Sequence, residues 1–295
     1  MRRGTFLEHV AWTGAGIAYA VGSGGLLTGR AVAAGSSDVV EFVQISDSHI
    51  GFHQPANPDV AGTLKIAVDA INAMASPPAF VVHTGDITHL STAQQFDDAR
   101  AILSQLRAPL VALPGEHDAI GNDFKPYLAN FKVPHSTAGG WASWHANGVH
   151  YVVLLNVFNF EKLGLLGSDQ LDWLAKDLAG VAHSTPVVVF THVPLYALYP
   201  QWGWTTEDGS KALALLAPFE RVTVLNGHIH QIVTHQEGNI RFASADATAY
   251  PQPKPGAAAK PGPVTLSHDA LLRAIGYRTV ELDGYDLRFE DRALG

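Results

Sequence analysis

Phe80-Val81-Val82-His83-Thr84-Gly85-Asp86 is the stretch whose reading decides the fold. Apolar residues run unbroken to Val82, which suits a strand buried on both faces of an α/β sheet; the chain then turns at Gly85 and leaves Asp86 at the strand's carboxyl end. The arrangement recurs. Phe42-Val43-Gln44-Ile45-Ser46 leads to Asp47 and His49, Leu110-Val111-Ala112-Leu113 to Glu116, His117 and Asp118, Val187-Val188-Val189-Phe190 to His192, and Val222-Thr223-Val224-Leu225 to His228 and His230. Open sheets bind ligands beyond the carboxyl ends of their strands, so these strands predict one shared polar site, read as a two-metal centre with Asp86 as its bridge.

Composition allows a well-packed enzyme: 295 residues, 47% hydrophobic and 16% charged, are enough for a sizeable core in one domain behind an N-terminal extension. A formal net charge of −8 argues against a basic nucleic-acid-binding surface. The 15 histidines point to metal chemistry because several fall at strand ends. With no cysteine, disulfides and thiolate ligands are excluded, which fits an oxidising compartment without requiring one.

The first residues have the character of a targeting segment. Arg2-Arg3 precedes Phe6-Leu7, a weakly apolar Gly/Ala-rich run over residues 11–27 and the A-x-A pattern Ala31-Val32-Ala33. This resembles a twin-arginine export signal, although two residues rather than one separate the arginines from Phe6. The expectation is a signal over residues 1–33, a domain over residues 34–295, and an exported, periplasmic or extracellular protein without a stable membrane span after cleavage. An uncleaved N-terminal anchor is the alternative, against which the run falls short of the roughly 18 strongly apolar residues that a span prefers.

Along the rest of the chain, strands and helices alternate first and antiparallel strands close the sequence. Helical spacing covers residues 60–74, a helix capped by Ser91 or Thr92 runs to about residue 106, and a short helical piece lies near residues 124–131. Residues 151–156 read as a strand and residues 168–178 as an amphipathic helix capped by Ser168. The aromatic, Pro-rich loop 194–204 suits either a cover over substrate or a packing plug, and residues 251–263 an irregular surface loop. Residues 229–235 and 240–243 form a hairpin around Glu237-Gly238-Asn239, and residues 277–282 and 285–290 another. His83 is expected in the core, His53 and His89, which follow metal-ligand motifs, on solvated loops with contact to substrate as the alternative, and Asn156 either behind the site or capping its strand.

The ordered run Asp47-Ser48-His49, Gly85-Asp86, Gly115-Glu116-His117-Asp118, Thr191-His192 and Gly227-His228-Ile229-His230 resembles the calcineurin-like metallophosphoesterase family over roughly residues 39–282. Its layout is closest to the small cyclic-nucleotide-type phosphodiesterases. Glu116 departs from the family pattern, which has Asn there. The resemblance implies a four-layer α-β-β-α sandwich with mixed central sheets. It also implies one ion on Asp47, His49 and His230, a second on Glu116, His192 and His228, and Asp86 shared. Carboxylates and imidazoles without thiolates suit two Mn, Fe or Zn ions.

Paired cations neutralise phosphoryl oxygens, acidify a bound water and hold it in line with the leaving group. In the family pattern His117 protonates the leaving alkoxide or stabilises the phosphoryl group, with Asp118 orienting its ring. The implied activity is hydrolysis of a small-molecule phosphoester, a diester first and a monoester next. A catalytically weak metal-binding recognition protein is the alternative that Glu116 leaves open, and the acidic charge disfavours a nuclease.

Overall fold

The computed structural model describes residues 17–21, 27–31, 40–120, 124–131, 133–157, 164–283 and 286–295. The chain falls into two units, Met1–Val39 and Val40–Gly295. In the first, β1 (Ile17–Val21) pairs antiparallel with β2 (Leu27–Ala31). Arg2-Arg3 and the expected cleavage point after Ala33 lie outside the described residues. No described helix is long and apolar enough to cross a membrane.

The second unit begins with a run of strand and helix: β3 (Val40–Ile45), α1 (Val60–Asn72), β4 (Phe80–Thr84), α2 (Ala93–Leu103) and β5 (Leu110–Leu113). After α3 (Lys125–Asn130) come β6 (Ala142–Ala146), β7 (Val149–Val153), α4 (Ser168–Leu178), β8 (Val187–Phe190), α5 (Gly209–Leu216) and β9 (Val222–Asn226). The chain closes with β10 (Val233–Glu237), β11 (Ile240–Ser244), α6 (His268–Ala274), β12 (Gly276–Asp283) and β13 (Asp286–Ala293). One sheet has the order β13-β12-β3-β4-β5 and the other β10-β11-β9-β8-β7-β6. Both are mixed: β3, β4 and β5 run parallel, β12 is antiparallel to both β3 and β13, while β7, β8, β9 and β11 run parallel with β6 and β10 antiparallel at the edges.

The two-residue period of each strand divides its side chains between two cores. Phe42, Phe80 and Val82 meet Val153, Phe190 and Leu225 between the sheets. Their neighbours Val43, Ile45 and Val81 pack on the other face, with Leu64, Val68 and Ile71 of α1 and Phe96 of α2. On the second sheet Val152, Val189 and Val224 pack with Leu171 and Leu174 of α4 and Leu216 of α5. The result is the four-layer α-β-β-α sandwich. Aromatic rings lock its middle: Phe42 stacks on Phe80 at 5.0 Å and meets Phe190 edge-on at 5.4 Å.

Several local expectations change. Strand β6 is an addition, made by the turn Asn147-Gly148, whose φ values of 49° and 78° are those of a tight type I′ hairpin. Ser168 is the first helical residue of α4 rather than its cap; the N-cap is Gly167, and Asp208 accepts from the backbone N–H groups of Leu166 (2.8 Å) and Gly167 (2.9 Å). Thr92, not Ser91, caps α2 by accepting from Gln95 N. The hairpin strand expected from residue 229 starts at Val233, because His228 and His230 hold φ of 70° and 51°, which an extended strand cannot accommodate.

Candidate metal centre

The carboxyl ends of β3, β4 and β5 from one sheet and of β8 and β9 from the other meet at one place. After β3, β4 and β9 the backbone turns left-handed: Asp47, His49, Asp86, His228 and His230 have φ of 51°, 43°, 53°, 70° and 51°. Such conformations cost about 1–3 kcal/mol each for residues with a side chain, and they persist only where surroundings over-determine them. Here the two leading loops pin one another: Asp47 N donates to Gly85 O (3.0 Å), His49 N to Asp86 O (2.9 Å) and Ile50 N to Ile87 O (2.9 Å). Gly85 itself has φ of 99°, and a Cβ there would collide with Nδ1 of His192. That turn requires glycine on both counts.

The side chains so delivered form two buried groups joined by Asp86. His49 Nε2 lies 3.2 Å from His230 Nε2, and His230 Nε2 lies 3.3 Å from Asp47 Oδ1. On the other side Glu116 places Oε2 2.8 Å from His192 Nε2 and Oε1 2.9 Å from His228 Nδ1. Asp86 reaches both groups, with Oδ2 3.4 Å from His49 Nε2 and Oδ1 3.6 Å from His192 Nε2. Within each of the sets Asp47–His49–His230 and Glu116–His192–His228, the donor atoms lie within 4.8 Å of one another.

The histidines are aimed from behind. His192 Nδ1 lies 2.7 Å from Thr84 O and His230 Nδ1 2.6 Å from Tyr250 O, so each Nδ1–H donates to a carbonyl and each Nε2 turns its lone pair inward. Glu116 Oε2, His192 Nε2 and both ring nitrogens of His228 are buried without a hydrogen-bond partner. The close His192–Glu116 and His228–Glu116 approaches are therefore ion-pair distances without hydrogen-bond alignment. Lone pairs converging in a dry interior are what a cation satisfies and what hydrogen bonding does not. The donor set fits two ions, with oxygen and nitrogen ligands only.

Electrostatics agree. Burial and the neighbouring His117 and His230 hold His49 well below 6.5, keeping its ring neutral as a ligand must be. Burial opposes the His192 cation, yet Asp86 and Glu116 raise its pKa well above 6.5. Burial likewise disfavours the Glu116 carboxylate, but His228 and His192 keep it ionised well below the usual range. Carboxylates that raise the pKa of a buried imidazole mark a site short of positive charge.

Every residue expected at the centre is brought there, but two neighbours behave differently from the expectation. Asp118 does not hold the His117 ring: its carboxylate accepts from Ile87 N (2.9 Å), Thr88 N (2.7 Å), Thr88 Oγ1 (2.8 Å) and Gly115 N (3.0 Å). The ring is oriented instead by His89 O, 2.7 Å from His117 Nδ1. His89 is not a solvated loop residue. It is half-buried, stacks on His117 at 4.9 Å and sets Nδ1 3.4 Å from His49 Nδ1. Its position three residues after Asp86 was the available signal. His53 is exposed, as expected of a loop residue, and His83 is buried beside Ser48 Oγ at 3.0 Å. Asn156 lies behind the site, with its Nδ2 donating to Val193 O and Thr206 Oγ1 and its Oδ1 accepting from Val193 N.

A cavity of about 340 Å³ opens onto the centre. Trp202, Trp204, Tyr250, Gln252 and residues 261–263 line it, so part of the expected surface loop is a wall of the site. In loop 194–204, Trp204 is 1% exposed, as a packing plug would be, while Trp202 is half-buried, and both line the cavity.

Fold and site together define a dimetal phosphoester hydrolase class. The family model described as calcineurin-like phosphoesterase matches residues 40–232, more than half of the chain. The chain belongs to the calcineurin-like phosphoesterases, and so to the phosphoric ester hydrolases. It is 24% identical over 261 residues to a probable cyclic nucleotide phosphodiesterase of Psychrobacter arcticus, covering 82% of this chain and 89% of that protein. It is 25% identical to the glycerophosphodiester phosphodiesterase GpdQ of Enterobacter lignolyticus, covering 72% and 78%. It is 31% identical to the serine/threonine-protein phosphatase CPPED1 of Danio rerio, covering 57% and 59%. Among solved structures, a dimetal phosphatase from Danio rerio shares the fold with a TM-score of 0.63 at 15% identity, covering 88% of this chain and 98% of that one.

Because one oxygen of Asp86 faces each group, Asp86→Ala is expected to lose both ions more completely than any other single substitution at the centre. Elemental analysis of the purified variant after reconstitution with Mn reads this; a variant that keeps a full complement would show that Asp86 is not shared.

Proposed function

We propose that the protein hydrolyses a small phosphodiester monoanion. The observation that carries this is charge: three carboxylates, Asp47, Asp86 and Glu116, stand in the donor set, and no Lys or Arg is among the described residues lining the cavity. Two divalent ions against three carboxylates leave a single net positive charge, one less than an Asn at position 116 would leave. A monoester dianion gains less from such a centre than from a more cationic one, so the balance moves towards diesters. The relatives named as cyclic nucleotide and glycerophosphodiester phosphodiesterases support the reading, while the named phosphatase favours monoester hydrolysis as its rival.

Two bound transition-metal ions of the Mn, Fe or Zn type would supply Lewis acidity to the phosphoryl oxygens and to the attacking water. Asp47, His49 and His230 would hold one, Glu116, His192 and His228 the other, and Asp86 both. His117 stands outside these sets as the proton donor. With Nδ1–H committed to His89 O, its Nε2 is left to carry the proton that the leaving alkoxide takes. Burial works against its charged form, but Asp86 and Glu116 outweigh burial and raise its pKa above 6.5, so the ring stays protonated to higher pH. Asp118 contributes by fixing the loop after β4 rather than by touching the ring.

Export belongs to the same proposal, supported by Arg2-Arg3 and Ala31-Val32-Ala33. An envelope-fraction protein that begins near Ala34 is the expected result of N-terminal sequencing; an intact Met1 in a membrane pellet would favour an anchor.

His117→Ala is expected to lower turnover by about 10²–10⁴-fold with metal content near that of the unsubstituted protein, and to lose less on an aryl ester with a good leaving group. Equal losses on alkyl and aryl esters would count against proton donation. Glu116→Asn is expected to improve hydrolysis of p-nitrophenyl phosphate relative to its bis-ester; an unchanged ratio would remove the charge argument, and a wild-type enzyme confined to the monoester would remove the diester reading.

A further inference from the structure

Arg278 on β12 is completely buried between the sheets, and a guanidinium only donates. Its Nε donates to Asp291 Oδ1 (2.7 Å), one terminal nitrogen to Ser244 O (2.9 Å) and the other to Gln44 Oε1 (3.5 Å). Gln44, on the neighbouring strand β3, therefore turns its oxygen towards Arg278. Its amide nitrogen faces the opposite way, where it donates to Thr84 Oγ1 (3.1 Å) and Asn226 O (3.2 Å). The Asn226 carbonyl only accepts, so it imposes the same orientation on Gln44 independently of the longer Arg278 contact. Thr84 Oγ1, already an acceptor, donates to Ser46 Oγ at 2.7 Å, and Ser46 Oγ donates to Asp47 Oδ2 at 2.5 Å.

The geometry points to Gln44, Thr84 and Arg278 as positioning residues for the metal ligand Asp47, acting through a one-way donor chain Arg278–Gln44–Thr84–Ser46–Asp47. All five side chains are fully buried. Hydrogen bonds in such a chain polarise one another, and the chain ends on one carboxylate oxygen only. The His228 N–H is shared between the two oxygens at 3.1 Å each, so Ser46 is what distinguishes them: it holds Oδ2 and leaves Oδ1, turned towards His230 Nε2 at 3.3 Å, as the oxygen offered to an ion. Nothing in the chain touches the cavity, and its members come from β3, β4, β12 and the loop after β3. The constraint on Asp47 is thus set by the register between antiparallel β12 and β3, where Arg278 pairs directly with Gln44.

This inference rests on the metal centre proposed above, and metal binding tests it without reference to turnover. Metal-free full-length protein is titrated with Mn²⁺ by equilibrium dialysis. Thr84→Val removes the hydroxyl while keeping the side-chain shape and the carbonyl that serves His192. It is expected to weaken one of the two ions by about 10–100-fold and leave the other unchanged. Thr84→Ser, which retains the hydroxyl, is expected to restore binding. Gln44→Glu keeps its size and its contact with Arg278 but loses the donor, and it is expected to reproduce the Thr84→Val loss, which also serves if Thr84→Val does not fold. Unchanged affinities in Thr84→Val and Gln44→Glu would overturn the relay, as would a Thr84→Ser protein as impaired as Thr84→Val, since packing would then be the cause. A wild-type protein that binds no Mn²⁺ would overturn the centre itself, a result distinct from failure of the relay.

Discussion

Three ionisable carboxylates and four imidazoles are confined to one buried place, and the rest of the molecule follows from the demand that this set makes for positive charge. In a dry interior, unpaired carboxylates cost several kcal/mol each after relaxation. Among the described residues of the cavity lining there is no Lys or Arg to balance them. Asp86 and Glu116 show the demand in the way they raise the His192 pKa against its burial. Two ions would meet it, because they would also satisfy the Glu116 and His228 atoms that have no hydrogen-bond partner.

Holding such a set together requires a scaffold stiffer than loops. The two sheets provide it by ending their parallel strands at one place, with Phe42, Phe80, Tyr151 and Phe190 interlocked between them as a spacer that fixes how far apart the ligand-bearing loops lie. Left-handed turns then point the ligands inward, and loop-to-loop hydrogen bonds offset the backbone cost. Behind the ligands, the backbone carbonyls of Thr84 and Tyr250 fix ring orientation, and Ser46 fixes one oxygen of Asp47. Stiffness is thus layered, from sheet to turn to the single donor atom.

The sequence made the parts of this scheme that depend on periodicity and local chemistry legible. Mostly apolar runs followed by His or carboxylate residues located β3, β4, β5, β8 and β9, and with them the centre, since ligand sites lie beyond the carboxyl ends of such strands. What was not legible depended on contacts distant in the chain. Ser168 had the chemistry of a cap, but Asp208, 40 residues on, reaches the start of α4 and leaves the serine no such role. Asp118 had the position to serve His117, but burial against the amides of Ile87, Thr88 and Gly115 claims its oxygens. Strand β6 was legible and missed: Asn147-Gly148 is a strong local turn signal, and Ala142, Trp144 and Ala146 alternate with Ser143 and His145 in the two-residue period of a strand.

The centre and the cavity wall are built to different standards of rigidity, and this separation bears on specificity. Ligands stand on strand ends tied into both sheets, whereas Trp202, Gln252 and residues 261–263 come from stretches with little regular structure. Loops of that kind tolerate change in sequence because few backbone hydrogen bonds of the core pass through them. The wall here presents indole, phenol and proline surfaces, which favour an apolar or planar group beside the phosphate and offer no fixed cation to a second one. The ligands are therefore fixed where the sheets end, while the space beside them is shaped by Trp202, Gln252 and residues 261–263 from loops and by the buried Trp204 and Tyr250, which the fold holds as firmly as the ligands.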